Sequence, residues 1–452
     1  MPHTRMGGQR AVLARMGKYV QSGWFIQGDE QSNQSRRALI AHNLTANIMA
    51  NLIGGNFFTG LLIILQADDG FVGLVTMLTF GANLLQLLAP YILERFERRK
   101  PLLITLKIII HLINIVFVGL IPYVPGAVQG RLVLLGFSIL IVNSLNAFLN
   151  PGMTVWHIAH VPPKVRVQYF SLVSMLNGVF VALFNLLGSI TVDAFRAAGQ
   201  ELWGLQTLRI LALLISVVDV WMLTRIKELP QQQSARKLPL RDLFSKPWKQ
   251  RIYLRSVLVV VVWSIIVNMP GSFYSVYLLR ELNVGYTYIM TIASFNVVVL
   301  MLFTPLWRRA FLKHNWLKPL YVAIFLLAPH YFVLAFVSKG LLLLYPVGVI
   351  WSFMCSSGIN LAFSSVAYIN LPEGDQTVYI GFYSTANFMA ALAAATIART
   401  FVTSLQGLRF TLLGVQFGEK QLLMMVVGTL MFGVGMGVRR VYRKNLSEGV
   451  DI

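Results

Sequence analysis

The sequence predicts an all-α membrane protein in which twelve transmembrane helices form two pseudo-symmetric six-helix bundles. Three observations predict it. The first is composition: 56% of the 452 residues are hydrophobic and only 12% are charged. The second is roughly a dozen apolar runs, each near the ~20 residues that carry a helix across a bilayer. The third is a second half that repeats landmarks of the first. A mean hydropathy of +0.66 excludes an ordinary soluble domain.

The twelve expected spans are 42–66, 71–92, 101–122, 132–158, 167–191, 205–225, 253–279, 286–307, 318–338, 340–368, 377–404 and 419–439. Ahead of them, residues 1–41 form a polar lead in which Val12, Leu13, Met16, Val20 and Trp24 recur at helical spacing among basic residues. That pattern predicts either an amphipathic helix on the membrane surface or a disordered tail. The bundles occupy 42–225 and 253–440, joined by a linker over 226–252 that holds Pro230, Pro239, Pro247 and many charges. Residues 441–452 make a short tail. The lead lacks an uninterrupted apolar core before a small-residue cleavage site, so no cleavable signal peptide is expected.

The net charge of +21 would suggest nucleic acid in a soluble protein, but here the basic residues lie mostly in short loops beside apolar runs. No nucleic-acid partner is expected. Most of the Lys and Arg fall in the lead, the loops after even-numbered spans and the tail, which predicts that both termini and the linker face the cytoplasm. The single cysteine, Cys355, rules out an intramolecular disulfide framework.

The halves read as copies. At an offset of 215, Pro90 meets Pro305 and Gly70-Phe71 meets Gly285-Tyr286, while Gly55-Asn56-Phe57-Phe58 meets Gly271-Ser272-Phe273-Tyr274 one residue further out. At an offset of 210, Asn150 meets Asn360 and Tyr169 meets Tyr379. Parallel repeats of this kind imply a pseudo-twofold axis along the membrane normal.

Between the second and third spans runs Pro-Tyr-Ile-Leu-Glu-Arg-Phe-Glu-Arg-Arg-Lys-Pro, residues 90–101. It resembles the loop between helices 2 and 3 of major facilitator superfamily transporters, with Pro90 and Glu97 standing where that family carries glycine. The loop after the fourth span, with Pro162, Arg166 and Tyr169-Phe170-Ser171, is similar to poorly characterised bacterial members. The resemblance implies a secondary transporter of a bacterial cytoplasmic membrane. In that family helices 1, 4, 7 and 10 line a central cavity, and 2, 5, 8 and 11 form the interface between halves. It also implies a cytoplasmic gate in which Glu94, Arg95, Arg98, Arg99 and Arg166 lock the halves when the cavity faces outward.

Polar side chains are costly in lipid, so their placement is informative. They concentrate in the helices that the resemblance assigns to the cavity: Asn51, Asn56 and Thr59; Asn143, Asn146 and Asn150; Trp263, Asn268 and Tyr274; Ser357 and Asn360. Amides, hydroxyls and aromatic rings suit a neutral or zwitterionic organic solute, sugar-like or drug-like. Helix-to-helix packing is the competing use of the same residues. Lys107 and Asp219 are expected to pair between the third and sixth spans as a structural ion pair rather than a proton relay. His111 and His330 are expected to pack. His157 and His160, three apart, lack a thiol or carboxylate cluster and are read as interfacial rather than metal-binding. Asp68 and Asp69 are read as a solvated loop.

The expectation is therefore a monomeric transporter of a small-molecule solute in a lipid bilayer, with no cofactor or metal and no enzymatic role. A membrane-embedded lipid-modifying enzyme and a transporter-fold receptor without flux are the alternatives.

Overall fold

The computed structural model describes residues 30–93, 95–96, 98–162, 165–228, 247–314, 316–366 and 376–447. The amphipathic pattern around Val12 to Trp24, Glu94 and most of the linker lie outside them. Among the described residues, twelve helices are long and apolar enough to cross a membrane. They are α1 Ser32–Ile64, α2 Asp69–Leu88, α3 Lys100–Tyr123, α4 Val128–Ala159, α5 Gln168–Ala197 and α6 Glu201–Thr224. The second set is α7 Tyr253–Glu281, α8 Tyr286–Lys313, α9 Leu317–Ala335, α10 Leu344–Phe363, α11 Gly381–Ser404 and α12 Glu419–Lys444. Each corresponds to one expected span. The first helix begins earlier than expected, at Glu30, so the end of the polar lead is helical. Its Asn33, Ser35 and Arg36 are buried, and Arg36 donates to the His160 carbonyl at 3.1 Å. Tertiary packing, not apolarity, extends that helix.

An even number of crossings places residues 30 and 447 at one end of the bundle, here the termini end. In the first half α1 packs on α5 and α6, and α4 on α2 and α3; in the second, α9 packs on α10 and α12, and α7 on α11. Between halves, α2 lies against α11 and α5 against α8, the interface that the resemblance implies. A short hairpin, β1 Phe410–Leu412 with β2 Val415–Phe417, joins α11 to α12. Leu413 and Gly414 make its turn with φ of 49° and 80°, the left-handed pair that two-residue hairpins require.

The duplication is visible as a matched defect. α1 is interrupted between Glu30–Ile53 and Gly55–Ile64, and α7 between Arg251–Asn268 and Gly271–Val276. Gly55 and Gly271, equivalent in the sequence repeat, carry φ of 52° and 27°. A side chain is disfavoured there, and helix breaks of this kind need an identifiable local cause.

Among the described residues, the hydrogen bonds and ion pairs joining the halves gather toward the far end, opposite the termini. Lys420 Nζ, buried, lies 2.6 Å from Asp69 of the first half, 2.7 Å from Glu281 and 2.8 Å from Glu419. Arg280 reaches Asp69 at 3.2 Å, and Arg409 reaches Glu419 at 3.3 Å. Asp69 is thus a buried cross-link rather than a solvated loop residue, while Asp68 caps α2 by accepting the Phe71 N–H at 2.7 Å. On the other flank Asp193 of α5 accepts the N–H groups of Tyr286 and Thr287 at 2.9 and 2.7 Å, capping α8 from across the interface. Tyr286 Oη donates to Glu201 at 2.7 Å, and its fully buried ring stacks on Phe57.

Gly60 is what lets α1 approach this tyrosine, since a Cβ there would sit 1.8 Å from Tyr286 Oη. Overpacking of this kind costs about 1–3 kcal/mol, and here it falls on the closed far end alone. Gly60→Ala is therefore expected to raise the population open at the far end by roughly tenfold. Val284, buried in this seal, reports the change: in a Val284→Cys background, maleimide labelling of the purified protein should accelerate with Gly60→Ala. An unchanged rate would remove Gly60 from the seal.

Candidate functional site

Asp219 sits within α6 and is completely buried. A bare carboxylate there would be prohibitively costly, and the helices around it supply donors. His42 Nδ1 of α1 donates to Oδ1 at 2.7 Å, and Thr45 Oγ1, one turn on, donates to the same oxygen at 2.8 Å. His111 Nε2 of α3 donates to Oδ2 at 3.2 Å. Lys107, one turn before His111, places its ammonium 3.8 Å from Oδ2. The expected Lys107–Asp219 ion pair is therefore the loosest contact in a five-residue cluster tying α1, α3 and α6 together. His111 is not a simple packing histidine, because its ring serves the carboxylate. His42 sat at the first residue of the expected span and carried no sequence signal for this role.

The cluster forms one wall of a cavity of about 550 Å³. Asparagines dominate the lining: Asn43 and Asn47 from α1, Asn83 from α2, Asn114 from α3, and Asn143, Asn146 and Asn150 from α4. His42, Lys107, His111 and His157 face the same space, which reaches to within two residues of the termini-side end of α4. Spacing explains the pattern. Asn43 and Asn47 lie four apart and Asn143, Asn146 and Asn150 three or four apart, so each set shares a helix face. Several amides are steadied by their own helix: Asn47 donates to the Asn43 carbonyl at 2.7 Å and Asn143 to that of Ile139 at 2.8 Å. Asn43 also bonds Asn177 of α5.

The remaining expected cavity residues divide. Asn51 is exposed in mid-helix, Asn360 is exposed near the end of α10, and Asn56 is half-buried; none of them lines this cavity. Thr59 is buried and returns its hydroxyl to the Gly55 carbonyl at 3.2 Å. In the second half, Trp263 packs against Phe363 at 5.4 Å and Asn268 donates to the Ser264 carbonyl at 2.7 Å. Tyr274 stacks on Tyr345 with its hydroxyl aimed at the Leu334 carbonyl at 3.4 Å, and buried Ser357 bonds the Met354 carbonyl at 2.8 Å. These polar groups are consumed by helix packing and by their own backbone, the competing use of such residues.

At the termini end, Arg95 and Arg98 are exposed, Arg99 is half-buried and Glu94 lies outside the described residues. In this structure the Arg166 guanidinium donates to the Val161 and Ile158 carbonyls at 3.0 and 3.5 Å, closing the end of its neighbour α4. Lys100 likewise closes the end of α6, donating to the Thr224 and Ile226 carbonyls. His157 pairs with Tyr169 Oη at 2.9 Å, and His160 bonds the Trp156 and Lys227 carbonyls at 2.8 and 2.9 Å. Both are buried, and no group of three or more His, Cys, Asp or Glu side chains fit to hold a metal occurs among the described residues. His330 joins α9 to α10 through the Gly348 carbonyl at 2.7 Å.

Comparison with known proteins brings these features together. The family pattern of the Major Facilitator Superfamily matches residues 44–395. No curated protein matches the chain by sequence. Solved structures of the same shape include the nucleoside transporter NupG, at 10% identity over 92% of this chain and 99% of that one with a TM-score of 0.66. The xylose transporter XylE from E. coli, in an inward open conformation, is 11% identical over 89% of this chain and 94% of its own, with a TM-score of 0.64. A bacterial homolog to the human lysosomal transporter Spinster is 14% identical over 92% and 99%, with a TM-score of 0.66. At such identities the likeness is one of fold. The family pattern, however, runs from the first crossing into the eleventh, and the chain is a multi-pass membrane protein that belongs to the major facilitator superfamily.

Proposed function

We propose that this protein is a secondary transporter that moves a small neutral or zwitterionic organic solute across a bacterial cytoplasmic membrane by alternating access, with both termini in the cytoplasm. The observation that carries the reading is the combination of a far end sealed across the halves by Asp69, Lys420, Asp193 and Tyr286 with an asparagine-lined cavity reaching toward the termini end. In this reading the conformation is inward-facing, and the solute site is open to the cytoplasm. Rocking the halves would break the far-end contacts and bring the termini ends together. Polar contacts suit that cycle, because they fix one state strongly yet are replaced by water once the seal opens.

Proteoliposome counterflow tests the proposal with a panel of sugars, nucleosides, amino acids and amphiphilic drugs, with and without an imposed proton gradient. Saturable exchange of one solute class is the expected result, and no flux for any class overturns it. For the exchanged solute, Asn150→Leu should raise the half-saturation concentration by roughly tenfold, the worth of about one hydrogen bond to a polar solute. Asn150 is exposed on its helix, so the protein should keep its thermal stability.

Asp219 holds three helices together in this reading and does not couple transport. Asp219→Asn leaves the Lys107 ammonium facing a neutral amide, a loss of about 3 kcal/mol. The variant is expected to melt well below the parent while the fraction that stays folded exchanges solute with unchanged gradient dependence. Parental melting with lost gradient dependence would reverse the assignment.

A further inference from the structure

The cavity wall carries a charge that the fold leaves only partly used. Asp219 is the ion-pair partner of Lys107, yet closer donors reach both its oxygens: His42 and Thr45 on Oδ1 at 2.7 and 2.8 Å, and His111 on Oδ2 at 3.2 Å. The Lys107 ammonium stands 3.8 Å away, beyond hydrogen-bond reach. It carries three N–H donors on a side chain only 13% exposed, and that exposure opens into the cavity. A largely buried ammonium requires acceptors. Among the described residues, all four titratable side chains lining the cavity, His42, Lys107, His111 and His157, are bases, and no carboxylate lines it.

Geometry and charge thus complement an acid on the solute. We propose that the cavity binds its solute through a carboxylate held by Lys107, with the asparagine amides of α1, α3 and α4 receiving the remainder. This rests on the reading of the cavity as the solute site and narrows the solute from neutral or zwitterionic to one bearing an acidic group. The asparagine oxygens are acceptors for a solute ammonium, so a zwitterion is accommodated and a solute without an acid leaves Lys107 with Asp219, at 3.8 Å, as its partner. The Asp219 cluster has a positioning role: it holds the His42 and His111 rings on its own oxygens and leaves Lys107 at the cavity wall.

The test is equilibrium binding to the purified full-length protein, read as the rise in melting temperature with ligand concentration. The probes are phenylacetate and N-acetylglycine, each beside its isosteric amide. Each carboxylate is expected to bind about tenfold more tightly than its amide, the usual advantage of a charge-assisted over a neutral hydrogen bond. Lys107→Gln should erase that preference and Lys107→Arg should keep it. A second measurement needs no variant: phenylacetate should protect Lys107 from amidination, quantified by peptide mass spectrometry, and phenylacetamide should not. Equal binding of acid and amide, binding of neither, a preference surviving in Lys107→Gln, or equal protection would each overturn the proposal. None of those results bears on flux, which counterflow decides separately.

Discussion

A polar group placed in hydrocarbon must find its partner inside the protein, and the charged residues of this chain show how that constraint becomes architecture. Asp219 and Lys420 are both buried, and each gathers opposite or hydrogen-bonding groups from several helices. The consequences differ with location. Around Asp219, itself on α6, the partners come from α1 and α3 of the same half, which makes a fixed joint. Around Lys420 they come from both halves, through Asp69 on one side and Glu281 on the other. There Arg280 and Glu281 retain 31% and 24% exposure, so water can reach the network as it parts.

Small residues complete what the charges begin. Gly60 admits the Tyr286 hydroxyl, and at Gly73 a Cβ would meet the Arg399 side chain at 2.7 Å, so α2 lies close against α11 while Arg399 donates to the Gly70 carbonyl at 2.9 Å. Close approach and polar contact therefore coincide at the far end. The matched interruptions at Gly55 and Gly271 put a bend in α1 and in α7, one in each half, between that sealed end and the termini-side segments.

Much of this was legible in the sequence, for physical reasons. Hydropathy is a local property, so the twelve crossings could be read from runs of apolar residues, and the repeat from Gly55 and Gly271 led to the two interrupted helices. The spacing of Asn143, Asn146 and Asn150 puts them on one face, and the family resemblance of their helix is what pointed that face at a cavity. Partner choice could not be read, because it is set by helices distant in sequence. His42 meets Asp219 across 177 positions, and Asp69 meets a lysine near the other end of the chain. Nor does a lone hydroxyl or ring announce its use: Thr59, Trp263, Tyr274 and Ser357 share the composition of cavity residues but are spent on backbone carbonyls or neighbouring rings. Arg166 belongs with them, since the nearest unpaired carbonyls at the end of α4 claim it.

The position of Lys420 at the start of the last helix has a consequence for biogenesis. A ribosome delivers Asp69 early, Arg280 and Glu281 past mid-chain, and Lys420 only with the twelfth crossing. Until then the two acids have Arg280 as their near counterion, and the halves have no bolt between α2 and α12. The Lys420 part of the seal thus waits for the twelfth crossing, and a chain truncated before the hairpin would insert its earlier helices yet leave the far mouth without its central cation.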